Sequence, residues 1–528
     1  MADRVVEVAT GRLRGQDRGG VWSFSGIPYA RPPVGPLRWR PPEPAVPWSG
    51  VREAAEFGKI APQPPPTPGV AIPGDPLDQD EDCLTLNVWA PDPLTFATTS
   101  PTQRGKRGGR PVMVWVHGGG FTAGTGASLL YRGGDLARNC DVVVVTINYR
   151  LGALGFLTHP ALADSGSSSA LMGNWGLLDQ VAALRWVQDN IAAFGGDPGN
   201  VTVFGESAGA MSISVLLASP MCRGLFQRAI VQSGPPYTHS LERSKHAAEE
   251  LAAILGHSKV TRAALHSVPP SELVAATQEL QNRLPPPGEL PLPFLPVVDG
   301  AFLPIEPIDA IAAGAARGVT LMTGTNRDEL TFFSLADTRL ANMDEDGLLR
   351  WLSRVHREID SRVVVDAYRT ARMARGEPTT PRSLWIAAGS DFIFRRPSME
   401  LASAHSAHQQ QTYTYLFTWE TPAFAGQLGS CHALEIPFVF GSLRHPAISL
   451  FAGNGSDAAA LSASMQRAWA SFARSGDPSH PGIGTWLTWD PQRRATMVFG
   501  PTGGLQYGPR ADELAVWQLF LPSRGVGP

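Results

Sequence analysis

The sequence predicts an α/β fold, with a large, mostly parallel central sheet flanked by helices and covered by helical cap insertions. Two observations carry that expectation. Residues 112–116 and 142–147 are continuous apolar runs dominated by valine, as strands buried on both faces require. After the runs, and before the next β-prone stretch at 201–204, Leu177, Val181, Leu184 and Ile191 recur at helical spacing within residues 175–193. Strands that alternate with helices imply parallel pairing, because each crossover needs a helix to return the chain.

The elements follow in order. The first 60 residues alternate short β-prone runs, around Val5–Val8 and Trp22–Phe24, with Pro-rich turns such as residues 30–36, which suggests an antiparallel edge. Residues 61–80 are Pro-rich, end in acidic residues and read as a surface loop, followed by a strand over 84–89. Residues 98–110 are polar, rich in Gly and Arg, and expected to form a mobile excursion. Further strands are predicted at 201–204, 229–232, 319–322 and 413–417. A helix over 210–217 is stopped by Ser219 and Pro220. Residues 236–315 and 331–405 mix polar and apolar residues without internal repeat and read as helical caps.

Composition narrows the function classes. The chain has 528 residues, 43% hydrophobic and 17% charged, with net charge −3. That balance gives no electrostatic bias toward nucleic acid or an anionic membrane. No run approaches the roughly 18 apolar residues that span a bilayer. The start lacks the apolar region of a signal peptide, so a cytoplasmic location is expected. Cys83, Cys140, Cys222 and Cys431 are too few and too scattered for a disulfide framework or a zinc site. His405 and His408 are three apart without acidic or Cys partners and, like His246, His257, His266 and His356, read as solvated or capping. The sequons at Asn200 and Asn454 read as chance.

The chemistry centres on Gly205-Glu206-Ser207-Ala208-Gly209. It fits Gly-x-Ser-x-Gly, a strand-to-helix turn of α/β-hydrolases that exposes a serine Oγ. The pentapeptide alone is weak: the Gly and Ser content gives about 0.4 chance matches. Its neighbours strengthen it. His117-Gly118-Gly119-Gly120-Phe121 directly follows the 112–116 strand, and its glycines let backbone N–H groups turn toward a developing oxyanion. One such donor is typically worth about 3–4 kcal/mol in the transition state. Among twelve histidines, His432 lies shortly after the 413–417 strand, where this topology presents its base. Asp328 or Glu329 follows the 319–322 strand, and strand carboxyl ends hold the ligand sites of open α/β sheets. The residues themselves do not choose between those two acids.

These stretches resemble the type-B carboxylesterase family. The resemblance runs through Gly26–Ala30, Glu81–Val88, the HGGGF loop, Asn148–Arg150, Asn174–Gln180, the elbow and Gly476–Pro478. It implies nucleophile Ser207, acid Glu329 rather than Asp328, and base His432. Oxyanion donors fall on Gly119, Gly120 and Ala208, with Glu206 and Ser233 supporting the triad, and with no metal or cofactor. It implies ion pairs Arg38–Glu81 and Arg150–Asp179. It also implies one domain, residues 1–528, because positions from 117 to 432 must converge. The catalytic core would take about 1–235, 316–330 and 406–528, with caps at about 236–315 and 331–405. The expected substrate is a small to medium hydrophobic ester with a short acyl group; carbamate or amide hydrolysis and a non-catalytic interaction role are the alternatives. A monomer or small homo-oligomer is expected. Residues 61–80 contain neither Cys nor an aromatic, so the disulfide and choline-holding tryptophan of cholinesterases are missing. Cys83 is therefore expected to be a free thiol, and Cys431, beside the base, to sensitise the protein to bulky thiol reagents.

Overall fold

A computed structural model describes residues 4–66, 75, 78–92, 109–163, 171–283, 292–334, 342–355 and 360–519. The excursion expected over 98–110 lies outside these residues except for its last two, and much of the 61–80 loop does also. Thirteen strands form one sheet: β1 (Arg4–Val8), β2 (Gly11–Asp17), β3 (Val21–Pro28), β4 (Val51–Glu53), β5 (Thr85–Pro91), β6 (Arg110–Val116), β7 (Val143–Ile147), β8 (Gly196–Glu206), β9 (Arg228–Gln232), β10 (Thr320–Asn326), β11 (Thr412–Phe417), β12 (Ala495–Phe499) and β13 (Gly504–Tyr507). Their order is β1-β2-β3-β5-β7-β6-β8-β9-β10-β11-β12-β13, with β4 beside β2.

Pairing is parallel from β7 through β12, while β1, β2, β3 and β5 at one side and β13 at the other are antiparallel. The apolar runs account for this layout. Val112, Val114 and Val116 face one core while Met113 and Trp115 face the other, and all are fully buried. A strand sandwiched this way has no solvent face, so alternation disappears from its sequence. The helix Ala208–Ala218 is buried along its whole length, which explains why it shows no polar stripe.

β8, β10 and β11 end at the same edge, and the chain leaves each of them carrying a candidate residue. Strands β2, β4, β12 and β13 are not marked in the sequence. In β2 only Leu13 and Gly15 are buried, so it lacks an apolar run and gains its place from pairing with β1 and β3. Both implied ion pairs form: Arg38 Nη2 meets Glu81 Oε2 at 2.5 Å, and Arg150 Nη2 meets Asp179 Oδ1 at 2.7 Å. Arg150 and Asp179 are buried, so removing one partner would cost about 3–5 kcal/mol by stranding the other charge. His405 departs from the solvated reading. It is buried, with Nδ1 2.7 Å from Thr412 Oγ1 and Nε2 3.0 Å from the Val319 carbonyl, tying a helix end to β10 and β11. Among the described residues no helix is long and apolar enough to cross a membrane.

Candidate active site

Ser207 stands at the bend between β8 and the helix Ala208–Ala218, with φ 54° and ψ −124°. A non-glycine residue there is strained, and the surroundings hold it: its N–H donates to the Gln232 carbonyl at 2.9 Å and its carbonyl accepts from Met211 at 2.8 Å. The flanking glycines are required by contact. A Cβ on Gly205 would lie 2.6 Å from the Val116 oxygen, and one on Gly209 only 2.0 Å from it. The elbow therefore presses directly on the strand that leads to the HGGGF loop.

That loop turns sharply. Gly119 and Gly120 have φ of 111° and 62°, and a Cβ on Gly119 would meet the Ala123 oxygen at 2.2 Å. The Gly119 carbonyl accepts from Thr122 and Ala123, closing the turn. Ala208 opens a helix, so its N–H has no intrahelical acceptor and is free for an anion. Two side chains brace the loop. Tyr149 Oη donates to the His117 carbonyl at 2.7 Å, and its ring stacks on the His117 ring at 4.4 Å. Gln63 accepts the Gly124 N–H through Oε1 at 2.8 Å and donates from Nε2 to the Gly124 carbonyl at 2.9 Å. Burial pushes the His117 imidazole down to about 4, so it is neutral.

His432 lies in the loop after β11 and is buried. Its Nδ1–H donates to Glu329 Oε2 at 2.6 Å. Glu329 Oε1 accepts from Ser233 Oγ at 2.6 Å and from the Asn326 N–H at 2.7 Å. Asp328, the other candidate acid, points elsewhere: it pairs with Arg327 at 2.7 Å and accepts the Ser430 N–H at 2.9 Å. On the opposite side, Glu206 Oε1 approaches His432 Nε2 to 3.0 Å. That approach is not aligned as a hydrogen bond, because Glu206 Oε1 has no aligned donor, so it acts through charge. Burial disfavours the imidazolium, but Glu206 and Glu329 outweigh it and hold His432 well above the ordinary imidazole range. Burial raises Glu206 itself, against the opposing pull of His432.

Several residues have no part in the sequence reading. Glu435 is buried and accepts from Gln232 Nε2 at 3.0 Å and Asn326 Nδ2 at 2.7 Å. Burial, with the charges of Glu206 and Glu329, pushes it up to about 8. Its place three residues after His432 is the signal that could have found it. Phe333 and Phe394 pack on the His432 ring at 5.0 and 5.1 Å, with Phe332 at 6.3 Å. Cys431 is fully buried, and burial together with the nearby Glu329 charge pushes its thiol up. The expected sensitivity to thiol reagents therefore has no accessible thiolate behind it. Cys83 is a free thiol and buried. No group of three His, Cys, Asp or Glu among the described residues could hold a metal ion.

The sheet order and the strand–elbow–helix turn define an α/β-hydrolase fold. Comparison with known proteins places the chain more narrowly. It matches the family described as the carboxylesterase family over residues 2–517. It is 38% identical to a para-nitrobenzyl esterase of Bacillus subtilis, over 99% of this chain and 100% of that one. It is 36% identical to a phenmedipham hydrolase of Pseudarthrobacter oxydans, over 94% of this chain and 95% of that one. Among solved structures, a Geobacillus stearothermophilus carboxylesterase superposes with a TM-score of 0.82 at 38% identity, covering 97% of this chain and 100% of that one. The chain belongs to the carboxylesterase family, and its reaction class is carboxylic-ester hydrolysis.

Proposed function

We propose that the chain hydrolyses small to medium hydrophobic esters through Ser207, His432 and Glu329, working as one catalytic unit in which the core and the two caps share a site. The 2.6 Å bond between His432 Nδ1 and Glu329 Oε2, on the loop that faces the elbow, carries the reading. It fixes the tautomer in which Nε2 carries the lone pair that a base needs.

His432 Nε2 takes the Ser207 proton as Oγ adds to the ester carbonyl. The N–H groups of Gly119, Gly120 and Ala208 hold the oxyanion, and Glu329 stabilises the imidazolium. The imidazolium then gives its proton to the departing alcohol. Water, deprotonated by the same nitrogen, hydrolyses the acyl-enzyme and restores Ser207. Ser233 Oγ and the Asn326 N–H donate to the other oxygen of Glu329 and hold its carboxyl group in place. The test is labelling with a fluorophosphonate probe and hydrolysis of p-nitrophenyl butyrate. Ser207→Ala should lose both, and His432→Ala should lose hydrolysis with the fold intact. Substantial residual turnover in either variant would assign the chemistry to other residues.

A further inference from the structure

The cap has its own hydrophobic cluster, separate from the two that cover the sheet, and it includes Leu352, Val364, Tyr368 and Trp385. Leu330, the residue after Glu329, belongs to it. So do Leu514, Val516 and Trp517 from the end of the described chain. The C-terminal segment therefore completes the cap rather than the sheet.

Within the cap, residues Asp391–Arg395 form a π-helical turn between the helices Pro381–Ser390 and Arg396–Ser406. Such turns are rare and concentrate at functional sites. This one presents Phe394, whose ring stacks on Phe333 at 6.2 Å and lies 5.1 Å from the His432 ring. The polar groups that hold the turn lead back to the C-terminal segment. The Trp517 indole N–H donates to Tyr368 Oη at 2.8 Å, and that hydroxyl donates to Asp391 Oδ2 at 2.7 Å. The Trp517 ring packs on Phe392 at 5.0 Å. Arg395 donates to the Pro509 carbonyl. Tyr237 Oη donates to the Ile393 carbonyl at 2.9 Å, and Ser390 Oγ, just before the turn, accepts the Leu330 N–H at 3.2 Å.

The segment is itself anchored: Arg375 meets Glu513 at 2.5 Å and Arg510 meets Glu377 at 2.5 Å, with Glu513 buried. A narrow crevice of about 20 Å³ is lined by Arg395, Ser398, Gly508 and Pro509 together with residues of β10 and β11. Tyr237 and Phe333 also touch the turn, and the contacts with Pro509 and, through Tyr368, with Trp517 are the ones that tie it to the C-terminal segment.

We propose that Gly508–Leu519 is a positioning strap for the substrate site: it fixes the π-helical turn, and the turn sets where Phe394 stands beside His432, so that the strap governs which acyl groups fit next to the base. The proposal rests on His432 as that base and goes beyond it to what sets specificity. Trp517 and Tyr368 touch no reacting atom and are positioning residues.

The test compares kcat and KM on p-nitrophenyl acetate and p-nitrophenyl benzoate in the full chain, per site titrated with a fluorophosphonate. Phe394→Ala opens the wall and should raise the benzoate-to-acetate ratio of kcat/KM about tenfold, in the range one side-chain contact commands. Trp517→Phe keeps an aromatic ring, though a smaller one, and loses the indole N–H; Tyr368→Phe removes only the hydroxyl. Each should shift the ratio the same way by about threefold or more, mainly through KM for the benzoate. Adding either to Phe394→Ala should produce no further shift, because the ring they position is gone. Unchanged ratios in Trp517→Phe and Tyr368→Phe, with only thermal stability lowered, would overturn the strap while leaving the esterase reading intact. Additive shifts in the double variants would overturn it too. Should Trp517→Phe fail to fold, Tyr368→Phe decides alone. Absence of fluorophosphonate labelling in the unmodified chain would sink both readings.

Discussion

Glu206 Oε1 lies 3.0 Å from His432 Nε2, the nitrogen proposed to receive the Ser207 proton. With Glu329 on the other nitrogen, the imidazole is held between two carboxylates in a buried site. Both charges favour the imidazolium, whereas the base works only when neutral.

The sign of the pH dependence follows. His432 is raised well above the ordinary value, so activity is lost as pH falls through that raised value. The acid limb of kcat/KM should therefore lie above about 6.5, the unperturbed imidazole value. Glu206→Gln removes one of the two charges and should move the limb to lower pH. A limb that stays in place in this variant would show that Glu206 does not act on His432 through charge.

The acids can be separated in the same assay. Glu329→Gln should lower kcat by on the order of 10⁴, because the amide no longer enforces the tautomer or balances the imidazolium. Asp328→Asn should be far milder, since Asp328 is engaged by Arg327 and the Ser430 N–H. Equal losses from the two substitutions would mean that the contact seen at Glu329 is not the one that matters in turnover.

Gln63 is the brace most open to a clean test. Its amide closes on Gly124 with two hydrogen bonds and keeps the turn that begins at Gly119. Gln63→Ala should lower kcat about tenfold, less than the loss of an oxyanion donor itself, with KM little changed. Affinity for a trifluoromethyl ketone, which forms the tetrahedral adduct, should fall in parallel. Gln63→Glu keeps the acceptor for the Gly124 N–H and should recover part of the loss. If kcat falls while ketone affinity holds, Gln63 acts elsewhere than on the oxyanion loop.

Cys431 should resist modification despite its place beside the base. Its thiol is fully buried, and burial with the Glu329 charge disfavours the thiolate that reacts. N-ethylmaleimide should leave native activity unchanged and label Cys431 only after denaturation. Rapid loss of activity, blocked by a competitive ester, would show that the loop opens in solution.

What was legible in the sequence follows from where the candidate residues sit. Ser207 directly follows β8, Glu329 follows β10 by three residues, and His432 follows β11, so strand runs and turn residues bracket each of them. Asp328 and Glu329 are neighbours with the same chemistry, and only the backbone turn that aims one at His432 separates them. Other features depend on partners far along the chain. His405 is tied down by Thr412 and Val319, and Phe394 reaches His432 from a π-helical turn with no local pattern. The strands β12 and β13 are short and polar-flanked, and they gain strand character only by pairing beyond β11.

The proposed acyl preference can be read against the rings around His432. Phe332, Phe333 and Phe394 surround one side of His432, and Leu292 approaches Gly120 so closely that a Cβ there would sit 3.2 Å from it. Phe333 is 44% exposed and faces the open side, where an apolar group can bury its ring at about 25 cal/mol per Å². On the proposed site a short acyl chain would gain that burial, whereas a long one would have to pass the aromatic rings and leave its tail in water. Across p-nitrophenyl esters from acetate to palmitate, kcat/KM should therefore peak at short acyl groups and fall toward the long end. A maximum at palmitate would mean that the aromatic side of the site opens into a channel, and Phe333→Ala would then be expected to change little.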